Sequence, residues 1–133
     1  MIDSSYKYSE ITGKIIGLAM QVHTYLGNGF QEVIYQRALE IELAKNLIPF
    51  ERGFRMPIMY KGDRIGTRRV DFLINNNISV ELKAVIQLGP VHLAQAINYL
   101  EAYNLEIGLL LNLGAPSLQV KRLLNRHKVG TGI

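Results

Sequence analysis

The sequence predicts an α/β (α+β) fold, a mixed β-sheet flanked by helices, in a single domain over residues 1–133 with its core at about 10–125. Three observations carry this. Helical and strand periodicities succeed one another in the order α-α-β-β-β-α-β-(β). Arg69–Val85 alternates apolar and polar residues about Asn75-Asn76-Asn77, the pattern of a hairpin. Leu105–Asn112, LEIGLLLN, is an almost unbroken apolar run, as expected of a strand covered on both faces. A helix between the hairpin and that run supplies the crossover that makes the sheet mixed.

Taken in order, Ser9 is placed to cap a first helix reaching about Leu26. Its apolar stripe is Ile11, Ile15, Leu18, Ala19, Val22 and Leu26. Gly27-Asn28-Gly29 separates it from a second helix, about Phe30 to Leu47, which Pro49 stops. Glu32 falls in the first turn of that helix, where a carboxylate meets the positive end of the dipole. Capping is the simpler use for it, as packing is for Tyr35 three residues on. Phe50–Tyr60 reads as a strand, at an edge because of Pro57. Lys61-Gly62-Asp63 is a turn, and Arg64–Ile74 and Ile78–Ala84 are the next two strands. Pro90 opens a helix running to about Tyr103, with Leu93 or Leu100, Ala94 and Ile97 toward the core. His92, Gln95 and Tyr99 share another side of it. Ser117–Asn125 fits a strand or a short helix, and its alternating Leu118, Val120 and Leu124 favour a strand. The tail from Arg126 is basic and expected to be loose.

The hairpin carries the chemistry. Centred on Asn76, it faces Ile74 with Ile78, Phe72 with Val80 and Val70 with Leu82, all apolar. Arg69, Asp71, Ser79, Glu81 and Lys83 share the other face, and a one-residue slip would bury them. This register sets Asp71 opposite Glu81. Opposed side chains on a sheet have Cβ atoms ~4.5–5.5 Å apart, so two carboxylates there repel unless a cation intervenes. Lys83 could supply part of that charge and a divalent ion more. A solvated face with diagonal Arg69–Glu81 and Asp71–Lys83 pairs would answer equally well.

Composition narrows the classes. There is no cysteine, which excludes disulfides and thiolate metal sites and suits a reducing, cytoplasmic setting. The first residues lack the form of a signal peptide, and no apolar run approaches the ~20 residues that span a bilayer. A net charge of +4 suits an anionic partner such as nucleic acid. His23, His92 and His127 have no metal-ligand spacing. They read as a helix-face residue, a residue near the site rim and a tail residue. Edge strands leave room for a homo-oligomer.

Asp71 followed by Glu81-Leu82-Lys83 resembles the D…ExK signature of the PD-(D/E)XK nuclease superfamily, whose core has the α-β-β-β-α-β order. Gln95-Ala96-Ile97-Asn98-Tyr99 is similar to the QxxxY helix motif of its RecB-like members. Gly29-Phe30-Gln31-Glu32-Val33-Ile34-Tyr35 matches the GxxExxY motif that names a small bacterial family within it. Val22-His23, Tyr60-Lys61-Gly62 and Gly108–Asn112 are similar too, so the resemblance covers roughly Ile11 to Asn125. Val70 replaces the proline of the "PD" pair, a common departure. The resemblance implies a restriction-endonuclease-like core and a Mg²⁺-dependent deoxyribonuclease, with Mn²⁺ as a substitute ion and DNA as the partner. It implies Asp71, Glu81 and Glu32 as metal ligands and Lys83 as the residue that orients the attacking water. Gln95 and Tyr99 would support the site or touch the nucleic-acid backbone. A module on the same fold that binds nucleic acid or protein without cutting is the alternative.

Overall fold

The structure is a computed structural model and describes residues 8–125. Its elements are α1 (Ser9–Leu26), α2 (Glu32–Lys45), β1 (Phe50–Tyr60), β2 (Asp63–Ile74), β3 (Ile78–Lys83), α3 (Pro90–Tyr103), β4 (Ile107–Asn112) and β5 (Gln119–Leu124). The five strands form one sheet in the order β1-β2-β3-β4-β5. β3 and β4 run parallel, with α3 as their crossover, and the other pairs are antiparallel. The sheet is therefore mixed, as expected. No helix among the described residues is long and apolar enough to cross a membrane.

Helices cover both faces. Ile15, Leu18, Ala19 and Val22 of α1 and Tyr35, Leu39 and Leu43 of α2 pack on Phe72, Ile74, Ile78, Val80, Leu82, Ile107, Leu109 and Leu111. On the opposite face Ala96, Tyr99, Leu100 and Tyr103 of α3 meet Leu73, Leu110 and Leu123. β4 is buried along its whole length, which accounts for its lack of alternation. Gly108 makes this close packing possible: a Cβ there would lie 2.8 Å from Ser79 Oγ and 2.9 Å from Leu100 Cδ2.

The hairpin register is the expected one where the strands pair, at Phe72–Val80, Leu73–Ser79 and Ile74–Ile78. Asn75 and Asn76 take φ of 55° and 61°, and Asn77 N–H donates to Ile74 O at 3.2 Å. That is a turn with two positive-φ centres, which asparagine tolerates and which suits the twist of a hairpin. Pro57 does lie on an edge strand, since β1 ends the sheet.

Several local expectations are corrected. Ser9 is not the N-cap of α1; Tyr8 is, at φ 63°, without a side-chain cap bond. Thr12 supplies the polar contact instead, its Oγ1 donating to Tyr8 O at 3.0 Å. α2 starts at Glu32 rather than Phe30 and stops at Lys45, before Leu47 turns to φ 56°. Ala94 and Ile97 of α3 do not join the core, because the helix is turned to bury Tyr99 and Tyr103. Their rings stack at 6.2 Å, and with Val70 and Leu73 they form an apolar cluster of their own. Val70 thus leaves the face of Phe72 and Ile74 for the α3 side. Gly53, at φ 67°, and Asp71 do not pair although the β1–β2 register is kept on either side of them; the register shifts further out, between Ile58 and Met59. The strand reading of Ser117–Asn125 holds as β5. The basic tail from Arg126, with His127, lies outside the described residues.

Candidate active site

β2 and β3 part just beyond Phe72–Val80, and the candidate residues gather in that fork. There Asp71 bridges the two strands through its side chain, with Oδ2 accepting from Leu82 N–H at 2.8 Å. Asp71 Oδ1 accepts from Gln36 Nε2 at 3.1 Å. Gln36 Oε1 accepts from Arg52 Nη2 at 3.3 Å, and Arg52 Nη1 is paired with Glu40 Oε1 at 3.0 Å. A guanidinium can only donate, so Arg52 fixes which end of the Gln36 amide faces Asp71. The chain Glu40–Arg52–Gln36–Asp71 therefore aims the carboxylate.

Glu81 follows on β3. The alternative of a solvated face fails at its centre, on the α3 side of β3: Ser79 is buried and Glu81 is only 6 % exposed, although Arg69 stays exposed. Burial pushes Glu81 up to about 9, helped by the charge of Asp71 and a hydrogen bond to it, while Lys83 and Arg68 pull it down. Burial also raises Asp71, against the Leu82 N–H, the Glu81 hydrogen bond, Lys83 and Arg69. Burial and the crowding of like charge thus favour the protonated form at both acids, with a hydrogen bond between them. Glu81 Oε1 remains buried without a hydrogen-bond partner. Such an orphan acceptor is rare in a folded chain and marks a place for a missing cation or donor.

Glu32 reaches the same field from the first turn of α2. Burial raises it, with Lys83 lowering and Asp71 raising it. Its approach is set by Tyr35, which is fully buried. The Tyr35 hydroxyl donates to Gly27 O at 2.6 Å and accepts from Phe30 N–H at 3.2 Å. Gly29, at φ 110°, allows the turn between them. Gly29, Glu32 and Tyr35 are thus one device: a bend, the acid it presents, and the phenol that locks the bend.

Among the described residues, Lys83 is the cation that acts on Glu32, Asp71 and Glu81 alike. Among the described residues no three carboxylate or imidazole groups already stand at the spacing of a shared ion. The donor set nonetheless suits one, with hard oxygens, an orphaned acceptor and an adjacent amine. Glu81, Asp71 and Glu32 are the side chains that could hold it.

The α3 candidates stand apart. Gln95 is exposed on the outer side of the helix. Tyr99 is buried, with the Arg68 guanidinium 3.6 Å above its ring centroid, and Arg68 acts in turn on Glu81. Arg68 thus links Tyr99 to the acids. His92 caps its own helix, Nδ1 accepting from Gly89 N–H at 2.9 Å. Sequence reasoning missed Gln36 and Arg52. Gln36 follows Glu32 by one helical turn, a spacing that points both at one target.

A family model described as the PD-(D/E)XK nuclease superfamily matches residues 9–123. No curated protein matches. The crystal structure of SSO0001 is similar at a TM-score of 0.57 and 22% identity, over 70% of this chain. The matched part spans 50% of that protein's length, and at this identity the likeness concerns the fold alone. Acids from a parted pair of strands and an early helix, a lysine two residues beyond the second acid, and a family match along almost the whole chain agree: the chain belongs to the PD-(D/E)XK nuclease superfamily.

Proposed function

We propose that the protein is a divalent-metal-dependent nuclease that hydrolyses phosphodiester bonds of DNA, of the GxxExxY type within its superfamily, acting in the cytoplasm. The observation that carries the reading is Glu81 Oε1, a buried oxygen without a partner, beside Asp71 and within the field of Lys83. Asp71 and Glu81 would hold Mg²⁺, or Mn²⁺ in its place, and Glu32 would complete the set from α2. Bound there, the ion supplies positive charge for the phosphoryl transition state and a nucleophile near neutral pH. The protein's own groups do the rest. Lys83 Nζ donates a hydrogen bond that orients the attacking water and offsets charge on the phosphate. Gln36 keeps Asp71 aimed. Gln95, exposed on α3, is free to donate to a backbone phosphate, and Tyr99 is a positioning residue beneath Arg68.

The test is a cleavage panel of single-stranded, duplex and branched DNA and of RNA, with Mg²⁺ or Mn²⁺, against Glu81→Ala. The expected result is ion-dependent cleavage of DNA that the substitution removes. Cleavage of RNA alone would reassign the substrate. Absence of cleavage together with no binding of Mn²⁺ would overturn the reading.

A further inference from the structure

Just outside the acids, the β1–β2 hairpin holds two like charges against each other. Arg55 and Arg69 are direct partners in the register. Opposed side chains lie with Cβ atoms ~4.5–5.5 Å apart, where like charges repel. Both residues are exposed. Among the described residues neither guanidinium makes an ion pair or a hydrogen bond. This pairing mirrors that of Asp71 and Glu81: where two acids crowd together a cation fits, and where two arginines crowd together an anion fits.

The location adds to this. Arg68 and Val70 point to α3, so alternation sends Arg69, and Arg55 with it, to the opposite face. Arg69 is close enough to Asp71 to act on its carboxyl. Its guanidinium lies over Gly53: a Cβ on that residue would stand 2.4 Å from Arg69 Nε and Nη2. Any side chain at position 53 would displace Arg69, so the glycine opposite Asp71 seats this arginine beside the acids. From Val70 outward no third strand among the described residues pairs with β2, so the two strands form a ribbon extending beyond the sheet.

We infer that Arg55 and Arg69 form a phosphate grip, holding a backbone phosphate of the nucleic-acid strand one step from the bond that the acids address. Guanidinium groups suit this because their planar N–H forks match phosphate oxygens. The inference rests on the proposed nuclease reading and adds to it where the substrate strand lies.

The test is binding without cleavage. A fluorescein-labelled DNA oligomer is titrated with the full chain in EDTA, from ~50 to ~250 mM KCl, and followed by anisotropy. For Arg55→Ala/Arg69→Ala, affinity should fall about tenfold or more at ~100 mM KCl, and the plot of log K against log salt should flatten by roughly 0.7–0.9 for each phosphate no longer neutralised. Arg55→Lys/Arg69→Lys should keep most of the slope, and Lys14→Ala, an exposed cation on α1, should change neither quantity. Thermal melts check folding, and the single variants take over if the double variant unfolds. An unchanged slope, or a change matched by Lys14→Ala, overturns the grip and leaves the nuclease reading standing. Failure of the unsubstituted chain to bind any DNA overturns both.

Discussion

Replacing Glu81 by glutamine should destroy cleavage and make the ion-free protein more stable. Glutamine keeps the shape of the protonated acid and can still donate to Asp71. In the folded chain Glu81 gives up its proton only near 9, against a usual value of 4.5. At pH 7 the unfolded chain has lost that proton and the folded chain keeps it. About two and a half pH units at about 1.4 kcal/mol each set a ceiling of about 3–4 kcal/mol on what folding costs at this residue. The raised value also fixes the sign. The contribution of Glu81 is fully present below its unfolded value and is lost as pH rises toward about 9. Glutamine has no proton to lose, so the gain from Glu81→Gln should be near zero at about pH 4.5 and should grow with pH. At about pH 8 it should raise Tm by roughly 5–10 °C. The assay is thermal melting of both proteins in EDTA from about pH 4.5 to 8.5. An equal gain at every pH, or a loss at the alkaline end, would refute a Glu81 held protonated by burial.

Three further outcomes follow from the geometry. If Mg²⁺ occupies the proposed site in the folded form alone, about a hundred times its dissociation constant should stabilise the protein by about 2.7 kcal/mol near pH 8 and leave Glu81→Gln nearly unmoved; calorimetric melts with and without the ion check this. Lys83→Ala should lower cleavage by roughly 10²-fold or more with little change in Tm if its amine orients water, as proposed, rather than holding the fold; single-turnover rates beside melts separate the two. Tyr35→Phe strips Gly27 O and Phe30 N–H of their shared partner and should cost about 1–3 kcal/mol in urea unfolding. The same substitution should weaken Mn²⁺ binding, because the bend that presents Glu32 loosens.

Much of the fold and of the acid pair was legible in the residues. The strand period set the parity of β2 against β3 as far as Phe72–Val80; beyond it the strands part, Val70 changes face, and Asp71 reaches β3 through its side chain on the Leu82 amide rather than as a paired rung opposite Glu81. What escaped depends on three-dimensional choices that a linear pattern does not carry. Ile97 and Ala94 looked as buriable as Tyr99 and Tyr103, and only packing against Val70 and Leu73 decides between them. Gln36 and Arg52 are polar residues of ordinary appearance, and their joint aim at Asp71 emerges only when α2 docks on the sheet. The burial of Ser79 and Glu81 depends on where α3 lies, which the alternation of β3 does not encode.

Asp71 has a second occupation. By accepting from Leu82 N–H it acts as the last crosspiece between two strands whose backbones have already separated. Loss of function on truncating it would therefore mix two injuries, a missing ligand and an unzipped sheet. Asparagine, whose Oδ1 can still accept from that amide, would separate them. On the proposed reading, a descendant that had given up chemistry would have reason to retain this aspartate longer than Lys83, because the aspartate also ties the strands.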